Sequence, residues 1–169
     1  MWVRARNATQ NPGPRGPSVC TKVSHAEPQE ADVEASAASL YDRLGGIYSI
    51  ATVVEDFIDR VMVDERLNAN PRVDEAHHRV LPPGFKYLVT EMLAEAAGGP
   101  QRYTGRSMEE SHREMRITPD EWRAFMDDLN QTLDKFDVPE QERSEVVAII
   151  ESTREDIVVE PTPESRQPA

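Results

Sequence analysis

The chain has 169 residues, 38% hydrophobic and 30% charged, which suffices for one packed domain and is short for two. Its net charge of −12 argues against a phosphate backbone as partner, so no nucleic acid is expected, and no run approaches the roughly 18 apolar residues of a membrane span. Cys20 is the only cysteine, which excludes an intrachain disulfide framework and a thiolate metal cluster; with no apolar leader after Trp2-Val3, the expected location is cytoplasmic.

Residues 1–30 carry four basic and two acidic groups, whereas residues 31–160 carry 14 and 28. The acidic excess therefore lies in the part that should fold. Residues 1–36 combine Pro12, Pro14, Pro17, Gly13 and Gly16 without a hydrophobic period, and are expected to form a disordered tail in which Cys20 and His25 are solvated bystanders. Residues 37–159 are expected to be the domain, and 160–169, opened by Pro161 and Pro163, a second disordered tail.

From Ser39 a short helix holding Leu40 and Leu44 is cut by Gly45-Gly46. A longer one then runs from about Tyr48 to Val63. Ile50, Val53, Val54, Phe57, Ile58, Val61 and Met62 recur at three and four residues, opposite Glu55, Asp56, Asp59 and Arg60. Leu67 to Pro71 reads as a break, because two Asn and a Pro favour turns. Between Val73 and Val80 only a polar helical turn or two is expected. Its pair His77-His78 cannot share a ligand face, since helix neighbours point about 100° apart.

After Pro82-Pro83-Gly84 a helix from about Phe85 to Ala97 buries Phe85, Leu88, Val89, Met92 and Leu93, and Gly98-Gly99-Pro100 ends it. Ser107 then caps a short helix with Glu109 and Glu110 in its first turn. That helix carries Met108, His112 and Met115 at spacings of four and three, placing an imidazole between two soft apolar groups on one face. Such a face suits a flat apolar cofactor. Thr118-Pro119-Asp120-Glu121 opens the next helix as a capping box, with Trp122, Phe125, Met126, Leu129, Leu133 and Phe136 inward. A final helix follows Asp137-Val138-Pro139-Glu140, burying Val146, Val147, Ile149, Ile150 and Ile157. No strand alternation and no internal repeat appear, so the class is all-α.

No serine sits in a nucleophile-elbow pattern and no His-Glu-x-x-His spacing occurs, so acyl transfer and zinc hydrolysis are disfavoured. One well-framed imidazole, His112, remains. On its own, an ordinary surface histidine is the reading these residues favour.

The ordered run Leu40-Tyr41-Asp42-Arg43-Leu44-Gly45-Gly46, Gly98-Gly99-Pro100, Tyr103-Thr104-Gly105-Arg106, Met108 and His112 resembles the group I truncated haemoglobins, and the resemblance covers roughly residues 39–158. It implies a truncated globin-like, two-over-two helical sandwich over haem b. It further implies reversible binding of a diatomic gas (oxygen, carbon monoxide or nitric oxide), and in some members nitric oxide oxidation, for which a reductase would be a partner.

Carried onto this chain, the resemblance makes His112 the axial ligand through Nε2, with Nδ1 donating to a nearby carbonyl such as that of Met108. The slot would be lined by Phe57, Ile58, Phe85, Val89, Met92, Met108, Met115, Phe125 and Met126, and Lys86, Arg102, Tyr103 and Arg106 would stand at its rim. All the former are equally good as plain core, and the latter as solvated charge. One departure matters. Where the family has a Phe-Tyr pair whose hydroxyl holds bound oxygen, this chain has Phe57-Ile58, and the loop before the next helix is about six residues longer than usual. The usual distal positions fall on Phe85, Leu88 and Val89, none a proton donor. A distal donor would have to come from Tyr87 or from a histidine of the long loop. Two other functions stay open: a nitric oxide dioxygenase or peroxidase, and a haem-free helical interaction module.

Overall fold

The structure, a computed structural model, describes residues 38–159. The two expected disordered tails lie outside the described residues. Within them the chain is helical: α1 (Leu40–Arg43), α2 (Gly46–Val63), α3 (Glu65–Asn68), α4 (Pro71–Arg79), α5 (Pro82–Ala96), α6 (Met108–His112), α7 (Pro119–Lys135), α8 (Glu140–Glu151) and α9 (Arg154–Ile157). The one β feature among the described residues is an isolated bridge between Ile117 and Val158.

Local chemistry sets most of the boundaries. Ser39 caps α1. Gly45 and Gly46 then take φ of +86° and +75°, which lets α2 begin at Gly46 rather than at Tyr48. Gly98, at φ +86°, ends α5 by donating its N–H to the Glu95 carbonyl while Gly99 donates to that of Ala94. The expected capping box forms between Thr118 and Glu121, and Ser107, expected as a simple cap, forms a second one with Glu110.

Two expectations fail in the corner after α2. Leu67 to Pro71 is not a plain break, because Asp64 caps the single turn α3 and Asn70 caps the next helix with Pro71 at its first position. The segment 73–80 is likewise more than a turn or two: α4 has nine residues and buries Val73 and Ala76. At the other end, the final helix divides, since α8 stops at Glu151 and α9 is separate.

The expected two-over-two arrangement is present. The helix α2 packs along both α5 and α7, and side-chain bonds join α8 to α7 in antiparallel order. Two bonds fix that pairing: Arg143 donates to the Asn130 carbonyl at 3.0 Å and Trp122 Nε1 to Glu151 at 3.3 Å. Ile58, Leu133, Val54, Val146 and Thr132 are the largest fully buried side chains, and mark the core between these helices. Thr132 has its hydroxyl donating to Asp56 at 3.2 Å. Burial alone would raise the Asp56 carboxyl, but hydrogen bonds from Lys135 and Arg60 hold it at about 2. Its charge thus clamps α2 onto α7.

Candidate functional site

The shared face of α2, α5 and α7 does not close completely. A cavity of about 360 Å³ remains, within the size range of small-molecule sites, and α4, α6 and α9 form its other walls. Of the residues expected to line a slot, Phe57, Ile58, Phe85, Val89, Met92, Met108, Met115 and Phe125 do so, joined by His112 and, at the mouth, Tyr103 and Arg106. The Phe125 ring stacks edge-on against Phe57 at 5.0 Å and lies 5.4 Å from Trp122, which fixes its place in the wall.

Three expected residues are elsewhere. Lys86 does not reach the cavity, because its ammonium bridges to Asp59 at 2.7 Å and Glu55 at 3.5 Å across the outside of α2 and α5. Met126 is buried but does not line the cavity, whose α7 wall is Glu121, Trp122 and Phe125. Arg102 is exposed and pairs with Glu95 at 2.9 Å.

His112 closes the five-residue α6. Its Nδ1 lies 2.8 Å from the Met108 carbonyl, the partner expected from the sequence, and a carbonyl can only accept, so Nδ1 carries the proton. Burial lowers the pKa of this ring, against the pull of the Met108 hydrogen bond, so the neutral form is favoured and Nε2 holds a lone pair. The flanking segments are tied down. Val159 N–H donates to Ile117 at 2.8 Å, and Arg116 takes the left-handed φ of +51° that ends the turn after α6.

The loop from Gly98 to Ser107 is held onto α5 by two carboxylates. Glu91 accepts from Tyr87 Oη at 2.5 Å and from Thr104 Oγ1 at 2.6 Å, and Glu95 accepts from the Tyr103 N–H at 2.7 Å. Hydrogen bonds from Thr104 and Tyr87 hold Glu91 below its usual range although the residue is buried. This latch sets Tyr103 and Arg106 at the mouth. Tyr103 Oη in turn donates to the Arg106 carbonyl at 2.8 Å.

Sequence reasoning missed the α4 wall. Val73, Ala76, His77 and Val80 share one face of that helix and all line the cavity. Their three- and four-residue spacing is visible in the sequence, but six of the nine residues of α4 are charged or histidine, which masks it. The two histidines point apart as expected. His78 is exposed and bonds to the Asp74 carbonyl, while His77 is partly buried with Nδ1 2.8 Å from Asn68 Oδ1, and burial lowers its pKa. Tyr87 is not in the cavity. Its hydroxyl is spent on Glu91, which leaves His77 as the histidine of the long loop that borders the cavity, with Arg79 beside it.

A second cavity, of about 380 Å³, lies behind Phe57, Val89 and Ile150, which are walls of both. Arg43, Ser49 and Asp137 are among its few polar lining groups, and it contains no imidazole. No helix of the described residues is long and apolar enough to cross a membrane, and these residues hold no cluster of three metal-binding side chains of the His, Cys, Asp and Glu type.

An all-helical two-over-two sandwich enclosing a mostly apolar slot bordered by an oriented imidazole defines the class of small globins, and comparison with known proteins agrees. A profile of bacterial-like globins matches residues 39–159, and the chain belongs to that family. Within it the similar proteins are group 1 truncated haemoglobins. That of Synechocystis is 32% identical over 117 residues, 66% of this chain and 89% of its own, and that of Tetrahymena pyriformis is 28% identical over 120 residues. The crystal structure of the Tetrahymena pyriformis protein in its Fe(III) form superposes with a TM-score of 0.62 at 27% identity, over 72% of this chain and 98% of the other. The 2/2 haemoglobin of Synechococcus, solved in the cyanomet state with covalently attached haem, gives 0.63 at 29% identity over the same shares.

Proposed function

We propose that this protein binds haem b in the cavity bounded by α2, α4, α5, α6 and α7, and through it reversibly binds a diatomic gas. The observation that carries the reading is the His112 ring: neutral, locked by Met108 at Nδ1, with the Nε2 lone pair free in a mostly apolar enclosure. The donor set fits the group. Met108 and Met115 flank the imidazole, Phe57, Phe85 and Phe125 supply flat apolar walls, and Arg106 and Tyr103 at the mouth suit carboxylate side groups. The iron supplies the gas-binding site. The protein contributes orientation of the axial nitrogen, exclusion of water and the polarity of the far wall.

That wall sets the expected selectivity. Phe57, Ile58, Phe85, Leu88 and Val89 donate no hydrogen bond, so a gas that takes on negative charge gains nothing from them, and the missing bond is worth about 1.5–3 kcal/mol. Carbon monoxide should be retained well relative to oxygen. The same lack of a donor favours a binding protein over a dedicated dioxygenase or peroxidase.

The test is an absorbance titration of the purified full chain with hemin. A sharp Soret band at one hemin per chain, lost in His112→Ala, is the expected result. A chain indifferent to hemin would leave only the interaction module. Single-turnover nitrate formation with nitric oxide at a rate set by mixing would move the reading to the enzyme.

A further inference from the structure

The helix α4 brings a second imidazole to the same cavity, and its state can be deduced. Asn68 Nδ2 donates to the Met62 carbonyl at 3.1 Å, so the other end of that amide, Oδ1, is the one turned to His77. An amide oxygen only accepts; the proton must therefore sit on His77 Nδ1. In the neutral ring Nε2 is then a lone pair with no hydrogen to offer, so His77 does not serve as hydrogen-bond donor to a gas. It is a Lewis base on a face otherwise made of Val73, Ala76 and Val80, in the state His112 shares.

The start of α4 is also tied to the segment that follows His112. Asn70, the cap of α4, donates to the Met115 carbonyl at 3.0 Å, and Arg72 donates to that of Glu114 at 3.0 Å, both just beyond His112. The distal positions read from the family pattern, Phe85, Leu88 and Val89, offer no competing ligand.

We propose that His77 supplies a second axial nitrogen, so that the resting haem protein is six-coordinate between His112 and His77 and an incoming gas must displace His77. Asn68 is its positioning residue: it fixes the tautomer and never touches the iron. This inference rests on the proposed haem binding. It assigns the ligand to the lengthened α3–α4 corner, and not to the helix that carries the distal positions.

The test uses the full chain loaded with hemin, with electron paramagnetic resonance and absorbance of the ferric protein and carbon monoxide binding to the ferrous protein. The wild type should be low-spin. His77→Ala and the apolar, space-filling His77→Leu should both keep hemin and turn high-spin, His78→Ala should remain low-spin, and Asn68→Ala should give a mixture. If the His77-free form makes up about 1–10% of the wild type, carbon monoxide affinity should rise about 10- to 100-fold in His77→Leu. A fully loaded wild type that is high-spin, or a low-spin signal that survives both His77 variants, overturns the proposal while leaving the haem reading intact. A wild type that takes up no hemin overturns both.

Discussion

The two cavities are nearly equal in size, about 380 and 360 Å³, and share Phe57, Val89 and Ile150 as a partition, yet only one has the chemistry of a site. The first is a gap between α2, α7 and α8 whose walls are mostly aliphatic. The second differs in what crosses its walls: two imidazoles whose Nδ1 atoms are already committed, three flexible thioethers and a cationic mouth. Volume measures how well helices interdigitate. Function requires lone pairs aimed by a second layer of hydrogen bonds, and that layer surrounds one cavity and not the other.

The largest test of this contrast is His112→Ala, which should weaken hemin retention by about 100-fold or more. The matching change in the first cavity, Val53→Phe, should leave hemin affinity within about twofold; equal losses in the two variants, measured by hemin transfer to a stronger acceptor, would erase the distinction. Next is Gly99→Ala. A Cβ there would meet the Ala94 carbonyl at 2.7 Å and the Tyr41 ring, at the root of the loop that carries Tyr103 and Arg106 to the mouth. Unfolding in urea should show a loss of about 1–3 kcal/mol.

A smaller effect is expected at Asp128, under the corner that bears His77. Burial, and then the neighbouring Asp64 charge, push its carboxyl up to about 6 from 3.8, while hydrogen bonds from Arg66 overcome burial to hold Asp64 low. The folded form therefore keeps a proton that the unfolded chain sheds above about pH 4. Stability from this group is full below that point and is lost as pH rises to about 6. Asp128→Asn mimics the protonated form and should be about 1–2 kcal/mol more stable than wild type at pH 8, with the gap closing at pH 4. A constant gap across that range would refute the assignment. The least effect is expected of Thr118→Ala, about 1 kcal/mol by thermal unfolding, since it removes one capping bond on the helix bearing Phe125.

What could be read from the chain follows the range of the interactions. Ser107 with Glu110, Thr118 with Glu121, and Gly98 past the end of α5 act over three or four residues, so each boundary was visible locally. The tie from His112 to Met108 is equally local. Which side of a stripe meets a void is not local. Met126 and Phe125 are neighbours on one inner face of α7, and only the position of α2 decides that Phe125 borders the cavity. Lys86 was misplaced for the same reason: its partners Asp59 and Glu55 lie on another helix. The role of α4 was hidden because its covering face is two valines, an alanine and a histidine within a strongly polar segment.

The attachments of α4 have one more consequence. Its buried anchorage consists of Val73 and Ala76, with Asn70 and Arg72 reaching across to the segment after α6, whereas α7 buries seven residues against the core. Local opening follows the least apolar contact, so amide hydrogens in residues 73–79 should exchange long before those of α7. For the proposed haem, that panel would be the doorway, since it can swing aside without disturbing the beams that support the rest.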